Sequence, residues 1–393
     1  MPSLSDPIPS FDFDTPVDRR ASDSIKWARY GDRDVLPLWV ADMDFASPPS
    51  VMAALGERVA HGVFGYGGPT PPVTAAVLTA LARDYDWQVE EDWLVWLPGL
   101  VTGLNVACRG LTRPGERVLT AVPVYPPFLS APRLSDRPLV TVPLKQEAGR
   151  WGWDWEALER ALSGPERPRL LLLCHPHNPV GRAWTGEELG RLGDLCCRYD
   201  MRVCSDEIHG DLQLQPGARH QPFAALDSDL ARRTVTLMAP SKTYNIPGLS
   251  CAFAVIPDPG LRREFNAAMA GIVPHVNVLG LAACAAAYRE GQAWREVLLD
   301  YLRGNRDRVV AAVAAIPGLS MVAPEATYLA WIDARESGVA DPAAACEAAG
   351  LGLSDGKDFG APGFLRLNFG CPRATLDQAL ERLARAFSPA GRD

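Results

Sequence analysis

The strongest constraint on the fold is the alternation of two kinds of segment between residues 50 and 290. Short apolar runs rich in Val, Leu and Thr alternate with longer amphipathic stretches, which is typical of a largely parallel sheet covered by helices. The sequence therefore predicts a doubly wound α/β domain. The predicted strands are Trp93–Trp96, Arg117–Val122, Leu139–Pro143, Leu170–Cys174, Arg202–Ser205, Thr234–Ala239 and Cys251–Ile256. The predicted helices include Ser50–Gly62, Thr70–Asp84, Gly103–Gly110, Thr185–Tyr199 and Leu261–Ala270.

The pattern changes after residue 290 and predicts a smaller α+β domain. We expect residues 1–49 to form an N-terminal arm that contributes to this small domain, residues 50–289 to form the large domain, and residues 290–393 to form the small one. The elements predicted for the small domain are helices at Trp294–Ile316, Pro342–Ala349 and Thr375–Phe387, and strands at Tyr328–Ile332 and Phe364–Asn368.

Composition and charge exclude several classes of protein. The 39 Lys and Arg residues are outnumbered by 47 Asp and Glu residues, which argues against a nucleic-acid partner. The N-terminus lacks the pattern of a targeting signal, and the apolar stretch Val278–Tyr288 is shorter than the roughly 20 residues that span a bilayer. We therefore expect a cytoplasmic protein without a membrane partner. The nine Cys show no CxxC pair, so buried thiols are expected rather than a metal site.

Glycine-rich or polar segments follow four of the predicted strands. Ligands of open α/β sheets bind beyond the carboxyl ends of the strands, so we expect these four segments to lie at one edge. That edge would hold a glycine turn at a helix start, an amide, a carboxylate and a lysine. The segments are Pro98-Gly99-Leu100-Val101-Thr102-Gly103, His175-Pro176-His177-Asn178-Pro179-Val180-Gly181, Asp206-Glu207-Ile208-His209 and Pro240-Ser241-Lys242-Thr243-Tyr244-Asn245.

Each of these groups has an ordinary and a chemical interpretation. A glycine turn that opens a helix offers N–H groups to a phosphate, but it is also a common connection. Asp206 could cap a helix, form an ion pair or hold a protonated pyridine nitrogen. Lys242 stands between Ser241 and Thr243 after an apolar strand, an unusual place for a surface charge. A lysine desolvated there could form a Schiff base.

Six motifs in order along the chain carry a family resemblance. They are Trp39-Val40-Ala41-Asp42-Met43-Asp44-Phe45, His61-Gly62-Val63-Phe64-Gly65-Tyr66, Pro176-His177-Asn178-Pro179-Val180-Gly181-Arg182, Ser205-Asp206-Glu207-Ile208-His209, Ser241-Lys242-Thr243-Tyr244-Asn245-Ile246-Pro247-Gly248-Leu249 and Ala326-Thr327-Tyr328-Leu329-Ala330-Trp331. Together they resemble the fold-type I pyridoxal-phosphate enzymes of aminotransferase class I/II, and among these the cystathionine β-lyase-type C–S lyases of the MalY/PatB group. The resemblance covers nearly the whole chain and implies an aspartate-aminotransferase-like fold with a large domain that binds pyridoxal 5'-phosphate.

The resemblance implies roles for the residues around the cofactor ring. Lys242 would form the Schiff base, and Asp206 would pair with the pyridinium nitrogen so that the ring accepts electrons. Asn178 would hydrogen-bond the phenolic oxygen, and Tyr125 would stack on the ring, although a core aromatic is its ordinary interpretation. His209 is either a group near the phenolic oxygen or a packed strand-end histidine, and His175 and His177 are expected to be loop structure.

The resemblance also implies a phosphate site and a substrate site. Backbone N–H groups near Leu100, Val101 and Thr102 would hold the phosphate together with the Ser241 hydroxyl. Tyr66 would reach the phosphate from the second subunit of a homodimer and take part in catalysis, unless it is a structural turn residue. In the substrate site Arg366 would bind the α-carboxylate, unless it is a surface ion-pair residue. The side chains that select the substrate would include Asp42 and Tyr328.

Two departures from the aminotransferase pattern bear on the reaction. His209 stands where aminotransferases of this fold commonly have Tyr, and Ser250 stands where they have a phosphate-binding Arg. These residues and the segment from Trp39 to Phe45 favour a C–S β-lyase. Such an enzyme converts cystathionine or related S-substituted cysteines to pyruvate, ammonia and a thiol by α,β-elimination, and needs no metal.

Two other functions compete with this prediction. An aminotransferase shares every step up to the carbanion. A regulatory protein with the same transaminase-like fold would carry a basic DNA-binding domain at its N-terminus. We expect no room for such a domain before Trp39. The intact Lys242, Asp206 and Arg366 also favour turnover over regulation.

Overall fold

The computed structural model describes residues 11–388. Its strands are β1 (Leu36–Pro37), β2 (Leu94–Leu97), β3 (Val118–Val122), β4 (Leu139–Glu147), β5 (Arg150–Trp153), β6 (Leu170–Cys174), β7 (Arg202–Asp206), β8 (Thr234–Met238), β9 (Ala252–Val255), β10 (Ser320–Met321), β11 (Leu329–Asp333), β12 (Leu351–Gly352), β13 (Ser354–Asp355) and β14 (Phe364–Asn368). Its α-helices are α1 (Ile25–Ala28), α2 (Pro49–Ala60), α3 (Pro71–Tyr85), α4 (Leu100–Gly110), α5 (Pro126–Leu134), α6 (Trp155–Ser163), α7 (Gly186–Arg198), α8 (Ser228–Ala231), α9 (Pro259–Met269), α10 (Val278–Glu290), α11 (Gln292–Ala314), α12 (Pro342–Ala348) and α13 (Arg373–Ala386).

The largest sheet has eight strands in the order β2-β9-β8-β7-β6-β3-β4-β5. The five strands from β8 to β4 are parallel, and β9 is antiparallel to both β8 and β2. Strand β2 therefore runs in the same direction as the parallel strands. As a result, the carboxyl ends of β2, β6, β7 and β8 lie at one edge, as the sequence predicts.

Strand β6 shows why the parallel strands are apolar along their whole length. Its residues Leu170 and Leu172 pack into the apolar cluster that includes α4, α5 and α9, whereas Leu171 and Leu173 pack into the cluster that includes α6 and α7. Because successive side chains point to opposite faces and helices cover both faces, every position is buried. The sequence prediction of β6 has the observed bounds.

The C-terminal third contains a four-stranded antiparallel sheet in the order β10-β11-β14-β13. Strand β1 pairs in parallel with β12, so that Leu36 lies opposite Leu351. An N-terminal segment is thereby attached to the C-terminal third. The predicted domain bounds remain a prediction, and their outermost residues, 1–10 and 389–393, lie outside the described residues.

Several elements differ from the sequence prediction. Helix α10 was not predicted because it is buried among other helices and rich in Ala, so its sequence lacks an amphipathic period. Helix α5, helix α6 and strand β5 were also missed. Helix α4 begins at Leu100 rather than at Gly103, because Leu100 and Leu104, one turn apart, are both buried on its inner face. Within residues 11–388, no helix has the length and apolarity needed to cross a membrane.

Candidate active site

A cavity of about 890 Å³ lies beyond the carboxyl ends of β2, β6, β7 and β8. The N-terminal segment around Trp39 forms a second wall, and residues of α12, β13 and β14 form a third. Ten of the predicted site residues line this cavity, and they come from segments far apart in the sequence. They are Asp42, Leu100, Val101, Tyr125, Asn178, Asp206, His209 and Ser241, together with the predicted anchors Lys242 and Arg366.

Lys242 lies shortly after β8 and points into the cavity. Its Nζ donates a 2.6 Å hydrogen bond to the carbonyl oxygen of Ala41, and no carboxylate among the described residues forms an ion pair with it. Burial lowers the pKa of the Lys242 ammonium to about 8, a shift that Asp42 and Asp206 partly oppose. The lysine can therefore lose its proton near neutral pH, as a nucleophile or base must.

Asp206 is the last residue of β7, and its carboxylate is a buried anion without a cation partner in residues 11–388. Its Oδ1 accepts a 3.2 Å hydrogen bond from the Ile208 N–H. Burial raises the pKa of Asp206 to about 7, because water no longer stabilises the ionised form. A cationic group in the cavity would restore that stabilisation.

The neighbouring carboxylate of Glu207 is not available to a ligand. It pairs with His220 at 2.6 Å and accepts a hydrogen bond of 2.7 Å from the Ser205 hydroxyl. Adjacent side chains at the end of a strand point to opposite sides. Of the Asp206-Glu207 pair, only Asp206 therefore lines the cavity.

Arg366, in the middle of β14, is a buried cation on the opposite wall. It donates to the side-chain oxygen of Asn178 at 3.1 Å and to the Trp39 carbonyl at 2.8 Å, and it lies 4.7 Å from the ring centre of Phe359. Across the described chain, no carboxylate pairs with this guanidinium, and its Nε has no hydrogen-bond partner. Burial lowers the pKa of Arg366 to about 10, so the group stays cationic at neutral pH and can bind a carboxylate.

Asn178, Tyr125 and His209 complete the inner part of the cavity. The backbone N–H of Tyr125 donates to the backbone oxygen of Asn178 at 3.0 Å, which joins the loops after β3 and β6. His209 is 3% exposed, and its Nδ1 has no hydrogen-bond partner within the part of the chain described. Burial lowers the pKa of His209 to about 3, so the ring is neutral and offers one nitrogen to a ligand.

The start of α4 and Ser241 form a polar corner at the sheet edge. The first hydrogen bond of α4 runs from the Gly103 N–H to the Gly99 carbonyl at 3.2 Å. The N–H groups of Leu100, Val101 and Thr102 therefore have no partner inside the helix and can bind an anion. Of these three residues, Leu100 and Val101 line the cavity, and Thr102 does not.

Three predicted residues offer no free side-chain group to the cavity of their own chain. The Asp42 carboxylate lies at the wall but is bound by Arg19 at 2.7 Å and by Lys26 at 3.4 Å. The Tyr328 hydroxyl is buried beneath the wall and donates to Ala41 at 2.9 Å, the same carbonyl that Lys242 contacts. Tyr66 is fully exposed and lies outside the cavity of its own chain.

The sequence did not reveal the backbone acceptors of the two cations. The Ala41 carbonyl accepts from Lys242, and the Trp39 carbonyl accepts from Arg366. Neither partnership has a local sequence signal, because each joins segments separated by more than 200 residues. The Nε2 atoms of His175 and His177 each contact a backbone carbonyl, and neither histidine lines the cavity. Between residues 11 and 388 no cluster of His, Cys, Asp or Glu has an arrangement that could hold a metal ion.

The family model described as aminotransferase class I and II matches residues 33–383. The chain belongs to this family. Cystathionine beta-lyase PatB of Bacillus subtilis (strain 168), a curated relative, is 38% identical over 387 residues, which cover 96% of this chain and 100% of PatB. The predicted family is thereby confirmed, as is the resemblance to cystathionine β-lyases.

Solved structures of this family share the fold over nearly the whole chain. The crystal structure of OvoB is 48% identical, with a TM-score of 0.94, and the match covers 96% of this chain and 100% of OvoB. Cystalysin from Treponema denticola, whose crystal structure contains a pyridoxal 5'-phosphate cofactor, is 33% identical with a TM-score of 0.91, over 96% of this chain and 98% of cystalysin. The predicted α/β fold is confirmed.

Proposed function

We propose that this chain is a pyridoxal-phosphate-dependent C–S β-lyase that cleaves amino-acid thioethers to pyruvate, ammonia and a thiol. One observation carries the proposal: a single cavity holds a buried anion, Asp206, and a buried cation, Arg366, and neither has an ion-pair partner among the described residues. Burying a lone charge is costly, so ligands of opposite charge belong at both positions. A protonated pyridine nitrogen suits Asp206, and a substrate carboxylate suits Arg366. The name of PatB supports the cleavage of a thioether.

The residues of the cavity fit the cofactor part by part. Asp206 would hold the ring nitrogen, and Lys242 would bind the aldehyde carbon covalently. Asn178 already accepts from Arg366 through its oxygen, so its amide nitrogen is the group that would donate to the phenolic oxygen. Tyr125 lines the cavity at the start of α5, where it would cover one ring face. The first turn of α4 and Ser241 would bind the phosphate.

The residues divide the chemistry between binding and proton transfer. Arg366 would hold the α-carboxylate through a charge-assisted hydrogen-bonded pair, which fixes Cα near Lys242. Displaced from the aldehyde carbon by the substrate's own amino group, Lys242 would be free as a neutral amine to take the Cα proton. Bound pyridoxal phosphate supplies an acceptor for the electron pair left at Cα. When the Cβ–S bond breaks, its electrons leave with sulfur, and the proton held by Lys242 is available to the departing thiolate.

The proposed enzyme is a homodimer in which each Tyr66 serves the cavity of its partner. Tyr66 is fully exposed, and its neighbours Val63 and Phe64 are exposed as well. Exposed apolar residues in one short segment are typical of an interface. Ser250 leaves the phosphate site without the Arg common in aminotransferases, so a hydroxyl from the partner would add a needed donor.

The test separates elimination from amino transfer. The purified enzyme loaded with cofactor is incubated with L-cystathionine and several S-substituted cysteines, with and without a keto acid. We expect pyruvate, ammonia and free thiol in equal amounts without any keto acid. A strict need for the keto acid, with a new amino acid and no thiol, would instead identify an aminotransferase.

The cytoplasm remains the predicted location of the protein. None of the nine cysteines forms a disulfide, which suits a reducing compartment.

A further inference from the structure

The cavity continues beyond the residues that would hold the cofactor and the α-carboxylate. Its outer part lies between α1 and α12, where Arg29, Trp39 and Glu347 line it. A β-lyase releases the group attached to sulfur, and that group must occupy space not already taken by the ring and the amino-acid part. We call the surface formed by Arg29, Trp39 and Glu347 the outer wall.

Arg29 supplies a cation that the described protein leaves without an anion. No carboxylate or hydrogen-bond acceptor within residues 11–388 pairs with its guanidinium, which instead lies 4.6 Å from the ring centre of Trp39 and 5.6 Å from that of Tyr30. Contact with two aromatic rings holds the guanidinium in place without neutralising it. The group therefore remains free to bind an anionic ligand.

Trp39 connects the outer wall to the substrate site. Its backbone carbonyl accepts a hydrogen bond of 2.8 Å from Arg366. The face of its ring contacts the Arg29 guanidinium. Trp39 therefore lies between Arg366, which would hold the α-carboxylate, and Arg29, which lies farther out. A thioether held by Arg366 would have its sulfur substituent within the same cavity as Arg29.

Glu347 adds a negative charge to the outer wall. Its carboxylate forms an ion pair with Arg33 at the protein surface, with a distance of 2.8 Å. The same residue also lines the cavity. Arg33, the partner of Glu347, lies 5.2 Å from the ring centre of Tyr30, and Arg29 lies 5.6 Å from the centre of the same ring. Both Arg29 and Glu347 line the cavity without forming an ion pair with each other, so the outer wall carries a cation and an anion.

We propose that the outer wall binds an amino-acid head group at the far end of the sulfur substituent, with its carboxylate at Arg29 and its ammonium at Glu347. This inference rests on the proposed lyase function and deepens it. The preferred substrates are thioethers whose leaving thiol is itself an amino acid. A plain alkyl substituent would occupy the same space without meeting either charge.

Four thioethers of matched length test each charge separately. L-Cystathionine carries both charges at the far end, S-(3-carboxypropyl)-L-cysteine carries only the carboxylate, S-(3-aminopropyl)-L-cysteine carries only the ammonium, and S-propyl-L-cysteine carries neither. We expect Arg29→Gln to lower kcat/KM for the two carboxylate-bearing substrates by about fivefold, the range for charge pairs near solvent. The other two substrates should be cleaved as by the parent enzyme, and Arg29→Lys should retain part of the preference. Glu347→Gln should affect cystathionine and the aminopropyl compound instead.

Arg20→Gln is the matched control, because Arg20 is an exposed arginine that lies 5.7 Å from the ring of Trp27 but does not line the cavity. It should change no substrate ratio. An equal fall for all four substrates in Arg29→Gln, or no fall with cystathionine, would overturn the outer-wall proposal while leaving the lyase function standing. If the parent enzyme cleaves none of the four, the lyase function itself fails, and this proposal fails with it.

Discussion

The Arg366 guanidinium donates a 3.1 Å hydrogen bond to the side-chain oxygen of Asn178 and so joins β14 to the loop after β6. The bond crosses from the four-stranded sheet to the eight-stranded sheet. It places the proposed carboxylate site directly beside the proposed site of the phenolic oxygen. A substrate held by Arg366 is thereby positioned against the cofactor by the fold itself.

Replacing Arg366 should weaken substrate binding without releasing the cofactor. In Arg366→Gln the carboxylate loses a buried charge-assisted partner, and we expect kcat/KM to fall by about a hundredfold or more. Arg366→Lys should recover little, because a single ammonium does not replace the planar guanidinium. Cofactor content, read from absorbance, should match the parent protein. Loss of cofactor in step with activity would contradict the assigned role. The control is Arg335→Gln, at a side chain that is 58% exposed.

Lys242 should be the residue that borohydride links to the cofactor. The other three lysines of the chain each form an ion pair with an aspartate, namely Lys26 with Asp44, Lys145 with Asp154 and Lys357 with Asp355. Lys242 donates only to a backbone carbonyl, and its lowered pKa favours the neutral amine. Peptide mapping after reduction should find the label on the Lys242 peptide alone. A label on another lysine, or full activity in Lys242→Ala, would refute the assignment.

The sequence predicts the inner cavity well because one physical rule connects its parts. Asn178, Asp206 and Lys242 each follow an apolar run, and parallel strands bring the residues at their carboxyl ends to one edge. The apolar runs themselves are readable because helices cover both faces of the sheet. For these residues a local pattern and a simple topology were enough.

The sequence predicts long-range partnerships poorly, for an equally physical reason. The carbonyl of Ala41 that receives Lys242 and the two-residue pairing of Leu36 with Leu351 depend on how distant segments fold back on each other. A backbone acceptor has no side chain to mark it in the sequence. Nor does the sequence show that Asp42 forms ion pairs. Its partners Arg19 and Lys26 lie 23 and 16 residues away, and the fold of the segment brings them together.

The cofactor-free protein should become more stable when Asp206 is neutralised. The pKa of Asp206 is raised from 3.8 to about 7 by burial, so the folded protein holds this proton more tightly than the unfolded chain does. The ionised carboxylate therefore costs stability increasingly as pH rises from 3.8 to about 7, and fully above that. At pH 8 we expect Asp206→Asn to raise the free energy of unfolding by about 2–4 kcal/mol, and at pH 5 by less.

The same variant should bind pyridoxal phosphate more weakly, because a neutral amide does not hold a protonated ring nitrogen. Urea unfolding of the cofactor-free protein at pH 5 and pH 8 measures the first effect, and cofactor titration measures the second. Asp300→Asn, at a side chain that is 78% exposed, should change neither. A gain in stability independent of pH would show that the Asp206 charge is not its cause.

Hybrid dimers should reveal whether Tyr66 serves the partner subunit. Tyr66→Phe and Lys242→Ala protomers are each expected to be inactive alone. If each cavity takes Lys242 from one chain and Tyr66 from the other, a mixed dimer contains one intact site, so mixing should restore up to about a quarter of parent activity when subunits exchange at random. Activity is measured after exchange, and sedimentation reports the oligomeric state. A fully active monomer would end the dimer proposal.

The stability of the N-terminal segment should depend on the buried ammonium of Lys26. This residue is 1% exposed, and its Nζ lies 2.7 Å from Asp44 Oδ2 and donates to the Asp42 carbonyl at 3.2 Å. Arg19 contacts both carboxylates as well, so removing Lys26 leaves two acids to share one cation. Breaking a buried pair from one side leaves an uncompensated charge, and Lys26→Met should therefore lower the free energy of unfolding by about 3–5 kcal/mol.

Lys145→Met is the matched control for Lys26→Met, because Lys145 also pairs with an aspartate, Asp154, at 3.0 Å, but is 46% exposed. Water screens that pair, so its loss should cost far less. Urea unfolding at one fixed protein concentration measures both variants, since subunit association contributes to apparent stability. The Lys26→Met change should also lower activity, because the same segment holds the Ala41 carbonyl against Lys242. Adding Asp44→Leu should restore part of the stability by removing the unpaired charge, and equal small losses in the two lysine variants would contradict the argument.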